Sequence, residues 1–302
     1  MQDFFVKGTK FVNMSAETKS TNMKKILLLP FLALFITFSC SSSDDSNTST
    51  TLQAEQLSDV AYGNDPEQIM DIYLPEGRTD DTKVIVLIHG GYWVAGDKAD
   101  MAPAIPVIQQ NFPDYAIVNI NYRLASWGSP AYPKQIEDIQ AVLEHLQSSD
   151  YTIGNEYAFV GVSAGAHLSM LYAYKYDTEH EVKAVADIVG PADFTDPAYA
   201  EHPEYENAAV ALLGTTTPTE EQIMEVNPVS HITSQSPPTI SFYGGQDYLI
   251  PYSQGPLLEA ALNGAGVYNE YNIYPDGGHF DWDLATMQDM YSKLIPFFQN
   301  HF

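Results

Sequence analysis

The chain has 302 residues, 13 Lys+Arg against 39 Asp+Glu, a formal net charge of −26, 45% apolar residues and one cysteine. That apolar share can build a sizeable core, whereas the acidity excludes nucleic acid and anionic lipid as electrostatic partners. A single cysteine excludes an internal disulfide and any CxxC-type zinc site. No repeat of solenoid or propeller period recurs, and the length suits one large domain or two small ones.

In chain order, Met23-Lys24-Lys25 precedes the apolar run Ile26–Phe38, 38 − 25 = 13 residues long. This suits a signal-peptide core of about 7–15 residues and falls short of the roughly 20 that span a bilayer. Ser39-Cys40 and a polar Ser/Thr/Asn stretch to Thr51 follow. The segment resembles a bacterial lipoprotein signal, although Thr37 stands where such signals usually have Leu. The resemblance implies translation from Met23, a signal region over 1–39, and lipid on Cys40. It also implies a flexible linker over 40–54 and attachment to the cell envelope, at the outer membrane. Residues 1–39 hold five Lys and two acids, leaving 13 − 5 = 8 basic and 39 − 2 = 37 acidic residues, or 8 − 37 = −29. Membrane attachment would therefore rest on acyl chains and not on charge.

From about Leu57 strand and helix patterns alternate. Gln68–Leu74 alternates polar and apolar, a half-buried strand ended by Pro75. Lys83–His89 and Ala116–Tyr122 are near-continuous β-branched runs, expected of strands buried on both faces. Ile136–Leu146 has helical spacing. Tyr157–Val162 reads as a strand running straight into a helix over Ala164–Tyr174. Further strands are expected at Val182–Val189, Thr239–Tyr243 and Tyr271–Tyr274, and a closing helix at Leu284–Phe298. This order predicts an α/β fold over 55–302, a mostly parallel central sheet with helices on both faces. Between Gly190 and Ser236 the pattern weakens to one helical piece near Asn207–Leu213, as in a cap-like insertion over about 190–236.

Gly161-Val162-Ser163-Ala164-Gly165 is GxSxG between a strand and a helix, the context in which a serine is lifted above a sheet at a helix N-terminus. His89-Gly90-Gly91-Tyr92-Trp93 follows another strand. Its Gly91 and Tyr92 N–H groups, with that of Ala164, suit an oxyanion hole, while His89 ties down the loop. Asp247 and His279 each lie just past the C-terminal end of a strand, where open α/β sheets form their sites. They are candidate orienter and base for Ser163; Asp276 is the fallback acid, and His167 is a packed structural histidine. No HExxH or clustered His/Asp set points to a metal, and no GxGxxG after a strand points to a dinucleotide, so no cofactor is expected.

Taken together, these motifs, with Asn121-Tyr122-Arg123-Leu124, Tyr132-Pro133 and Asp138, resemble the HGG-carrying esterase/lipase branch of the α/β-hydrolase superfamily. The likeness runs from about Val60 to Phe302 and is close to bacterial feruloyl- and acetyl-esterase-like carboxylesterases. It implies an α/β-hydrolase fold and acyl transfer to water through Ser163, with a small-molecule or carbohydrate ester as substrate. The base must be neutral, so the rate should rise through roughly pH 6–7, where a free imidazole loses its charge. The branch often has a third glycine where Tyr92 stands, so Tyr92 should crowd the acyl side and favour small acyl groups. Trp93 and Trp282 are expected in the substrate pocket, where they would stack on a sugar or aryl ring. HGGYW also resembles arylformamidases, leaving an amidase open. A prolyl-oligopeptidase-type peptidase is disfavoured for want of room for a propeller, and a non-enzymatic relative because all three catalytic candidates stand. Oligomeric state is left open.

Overall fold

The computed structural model describes residues 51–302; the signal segment, Cys40 and most of the linker lie outside the described residues. Eight strands form one sheet: β1 Glu55–Ala61, β2 Ile69–Leu74, β3 Val84–Ile88, β4 Ala116–Ile120, β5 Tyr157–Val162, β6 Val182–Ile188, β7 Thr239–Gly244 and β8 Asn269–Tyr274. Their order is β1-β2-β4-β3-β5-β6-β7-β8. β1 pairs with β2, and β2 with β4, antiparallel; every other pairing is parallel. The helices are α1 Ile105–Asn111, α2 Lys134–Ser148, α3 Ala164–Leu171, α4 Pro197–Ala200, α5 Tyr205–Leu213, α6 Glu220–Glu225, α7 Gln254–Ala265 and α8 Leu284–His301.

The two-residue period of a strand divides the apolar residues between two cores. Val84, Val86 and Ile88 of β3 join Ile136, Ile139, Leu168 and Leu258 from α2, α3 and α7. Ile85 and Leu87 face the other way, onto Ile105 and Ile108 of α1 and Met290, Leu294 and Phe297 of α8. All five residues of β3 are buried, and each large apolar side chain removed from water contributes about 1.5–3 kcal/mol. This two-sided covering is what a continuous β-branched run specifies, and the mostly parallel sheet with helices on both faces is the expected α/β architecture.

The structure departs from the sequence expectations where local signals are short or mixed. The nucleophile helix ends at Leu171 and continues as one wider π turn, Tyr172–Tyr176. β1 and the helices α1 and α7 were not foreseen. α1 carries Pro106, and α7 carries Gly255 and Pro256 in its first turn, where proline is tolerated although it reads as a breaker. The insertion holds α4, α5, α6 and a 3-10 turn at Pro228–His231 where one helix was expected. These pieces are set by caps, not by periodicity. Asp196 accepts from the Ala198 N–H, Thr219 and Gln222 form a capping box, and Gly214 stops α5 at φ 76°. Among the described residues no helix is long and apolar enough to cross a membrane.

Candidate active site

Ser163 sits between β5 and α3 at φ 54° and ψ −118°, a left-handed backbone that costs a non-glycine residue energy and is maintained by its surroundings. What permits the turn is close approach. A Cβ on Gly165 would run into the carbonyl oxygens of Ile88 and His89, so α3 lies directly on the end of β3. The Ser163 N–H donates to Ile188 O at 2.8 Å and fixes the turn to β6.

His279 and Asp247 meet this serine from the ends of β8 and β7. His279 Nε2 lies 2.9 Å from Ser163 Oγ, and His279 Nδ1 lies 2.7 Å from Asp247 Oδ2. The Asp247 side chain is 1% exposed. Its other oxygen accepts from the N–H groups of Leu249 at 2.8 Å and Ile250 at 3.0 Å. With the carboxylate held this way, Nδ1 carries a proton and donates it to Asp247. Nε2 is then left with a lone pair toward the serine hydroxyl. The fallback Asp276 is exposed and makes no such contact.

The loop after β3 lies beside the serine. A Cβ on Gly90 would come within 2.9 Å of Val162 O and 3.2 Å of Ser163 Cβ, and Gly91 follows at φ 117°. Among the described residues, none accepts a hydrogen bond from the N–H of Gly91, Tyr92 or Ala164. Ala164 stands at the first position of α3, where amides have no partner within the helix. His89 anchors the loop. It is fully buried, stacks on Tyr122 at 4.2 Å, and its Nδ1 donates to Gly90 O at 2.6 Å, while the Tyr122 hydroxyl donates to His89 O at 2.7 Å. Burial holds its pKa below the usual imidazole value.

The two tryptophans assigned to the pocket lie elsewhere. Tyr92 and Trp93 both have positive φ, 58° and 61°, and this turn sends Trp93 down into the core at 2% exposure. Its Nε1 donates to His167 Nδ1 at 3.2 Å, and His167 Nε2 donates to Val226 O at 2.8 Å. Trp93 thus locks the loop to α3 and the insertion. His167 is packed as expected, and burial lowers its pKa to about 4, so it stays neutral. Trp282 donates to Gly278 O at 3.0 Å and packs edge-on against Tyr274 and Phe280 on the α8 side of the sheet. It braces the His279 loop.

A cavity of about 640 Å³ opens instead beside Tyr92, lined by Val94, Trp127, Asn207, Val210 and neighbours. Tyr92 lines it, whereas Ser163 and His279 do not. The Tyr92 hydroxyl donates to Glu204 O at 2.7 Å, and His202 Nε2 donates to Tyr248 O at 2.9 Å. The insertion is thereby fastened on both flanks of Ser163. Trp127, Glu204, His202 and Tyr248 were all missed in the sequence. Only Tyr248, next to Asp247, carried a local signal. Among the described residues no group of three His, Cys, Asp or Glu is arranged to hold a metal ion.

The BD-FAE family model matches residues 70–262, more than half of the chain and the stretch from β2 to α7. The chain belongs to the BD-FAE family. It is 26% identical over 212 residues to Esterase LipC of Mycobacterium tuberculosis, covering 65% of this chain and 52% of LipC. Kynurenine formamidase of Danio rerio is 25% identical over 151 residues, covering 46% of this chain and 47% of the relative. The chain thus spans about half the length of these curated relatives. A truncated carbohydrate esterase from gut microbiota superposes with TM-score 0.67 at 23% identity, over 81% of this chain and 97% of that one. The butyrate-bound esterase Est2 of Thermogutta terrifontis gives 0.63 at 18% identity, over 82% and 94%. At these identities the BD-FAE chain and the two solved structures share the fold.

Proposed function

We propose that this BD-FAE chain hydrolyses carboxylic esters, with short-acyl or aryl esters, including acylated carbohydrate, as the substrate class. The unbroken line Asp247–His279–Ser163 at 2.7 and 2.9 Å carries the reading. His279 Nε2 takes the hydroxyl proton as Ser163 Oγ attacks the ester carbonyl. The oxyanion then rests on the N–H groups of Gly91, Tyr92 and Ala164, an interaction of a few kcal/mol in comparable sites. Collapse of the tetrahedral intermediate breaks the bond to the alcohol oxygen, which takes the proton from Nε2. Water, deprotonated by the same nitrogen, attacks the acyl-enzyme. The second tetrahedral intermediate breaks its bond to Ser163 Oγ, which takes the proton back from Nε2 as the acid leaves, and Asp247 steadies the imidazolium in between.

Family membership and the LipC likeness support ester chemistry, and the fold shared with a carbohydrate esterase makes acylated sugar the natural member of the panel. The likeness to kynurenine formamidase favours one second reading, an amidase of that kind. A panel of acetyl to octanoyl esters, acetylated xylan fragments and N-formylkynurenine separates the two. The expected outcome is fastest turnover of acetyl to butyryl esters and loss of at least about a thousandfold in Ser163→Ala. Formylkynurenine as the best substrate would replace the ester reading.

We propose further that the chain is exported and anchored through lipid on Cys40 in a bacterial envelope, at the outer membrane. The basic start, the 13-residue apolar run and the small residue before the cysteine support this. Labelled palmitate should enter the wild type and not Cys40→Ala, and the variant should leave the membrane fraction. Equal labelling of both would remove the proposal.

A further inference from the structure

The proposed chemistry assigns the two halves of an ester to opposite flanks of the site. The leaving oxygen must reach His279 Nε2, the acid of the proposed mechanism, so the alcohol half lies on the His279 side. The oxyanion takes the loop amides, which leaves the acyl group the flank away from His279. On the His279 flank stands Tyr248. Its ring is edge-on to the imidazole with centroids 6.5 Å apart, and the residue is 71% exposed.

An exposed tyrosine is ordinary in itself, but this one is held out by a fixed backbone. Asp247 Oδ1 accepts from the Leu249 and Ile250 amides, and His202 Nε2 donates to the carbonyl of Tyr248 itself. His202 Nδ1 accepts from the Glu204 N–H at 3.2 Å, so Nε2 is the donor and the insertion clamps the loop through it. Among the described residues the Tyr248 hydroxyl has no hydrogen-bond partner. The result is an aromatic face on a tied backbone, edge-on to the His279 imidazole, open to water and with a free polar edge.

From this geometry we infer that Tyr248 forms an alcohol-side subsite for a pyranose ring, setting specificity for esters of sugars. Exposure decides the chemistry of the occupant. An alkyl or aryl alcohol gains from an enclosed apolar pocket, whereas a sugar lays one C–H face on the ring and keeps its hydroxyls hydrated. The net charge of −26 disfavours an anionic sugar. This inference rests on the ester-hydrolase reading, but it concerns the alcohol alone.

The test compares two acetates with the same acyl group, a mono-O-acetyl methyl xylopyranoside and ethyl acetate, in the full chain. In the wild type the sugar ester should have the lower KM. Tyr248→Ala should cut the kcat/KM ratio of sugar ester to ethyl acetate about tenfold, almost all of it in KM, and Tyr248→Phe should keep most of that ratio. An equal loss on both substrates would make Tyr248 a structural support for His279 and overturn the inference, as would an unchanged ratio. Wild-type turnover of ethyl acetate without turnover of the sugar ester would also overturn it, leaving ester hydrolysis standing. Acetate release from both esters by Ser163→Ala would instead overturn the underlying reading.

Discussion

Replacing Tyr92 by glycine removes a ring that lines the 640 Å³ cavity and that belongs to the loop beside Ser163. Glycine tolerates φ 58° without strain, so the loop amides should keep their positions. The cost is the hydrogen bond to Glu204 O and the half-buried ring, about 1 kcal/mol each. Relief of the left-handed backbone offsets about 1 kcal/mol. A net loss of about 1 kcal/mol lowers Tm by roughly 2–4 °C, and a thermal melt checks that the variant is folded. The effect on specificity should be larger. Each methylene admitted to an apolar cavity contributes about 0.8 kcal/mol. Four of them, from butyryl to octanoyl, come to about 3 kcal/mol, on the order of two-hundredfold in relative kcat/KM. The assay is a p-nitrophenyl ester series in wild type and Tyr92→Gly. A folded variant whose octanoyl-to-butyryl ratio of kcat/KM equals that of the wild type would refute the assignment of Tyr92 as the wall of the acyl side.

Three other perturbations address the supports of the site. In Asp247→Asn the amide oxygen can still accept from Leu249 and Ile250, but the amide nitrogen meets His279 Nδ1 and moves the imidazole proton to Nε2. Ester kcat should fall by about four orders of magnitude with little change in KM, as steady-state rates will show. Gly165→Ala would ordinarily gain about 1 kcal/mol of helix propensity. Here its methyl overlaps two backbone carbonyls, so urea melts should show a loss of about 1–3 kcal/mol and activity should drop. Asp187 is fully buried beneath the serine turn, and desolvation raises its pKa to about 7. The Tyr243 hydroxyl lies 2.7 Å from both Asp187 Oδ2 and Gly190 O. With one proton to give, it satisfies both contacts when it donates to Gly190 O and accepts from a neutral Asp187 carboxyl. The folded state therefore holds this proton more tightly than the unfolded chain. Its stabilisation is complete below about pH 4 and is lost as pH rises through 7. Asp187→Asn mimics the neutral acid, so its urea midpoint should fall less than that of the wild type between pH 5 and pH 8. Parallel pH profiles would contradict the assignment.

The local sequence determined the sheet and the meeting of Ser163, Asp247 and His279. β-Branched runs buried on both faces specify parallel strands, and residues just past the C-terminal ends of such strands gather at one edge whatever joins them. The GxSxG turn was equally legible, because crowding between a strand and its helix selects glycine at fixed spacing. Only the tertiary structure decided which aromatic ring does what. Trp93 and Trp282 flank site residues in the chain, yet one is turned inward by positive φ and the other packs across the sheet. Tyr92 and Tyr248 are held in place by Glu204 and His202, more than forty residues away, on an insertion whose helices are too short to show a period. A side chain's direction depends on such distant partners and on backbone angle, and neither is written in the identity of its neighbours.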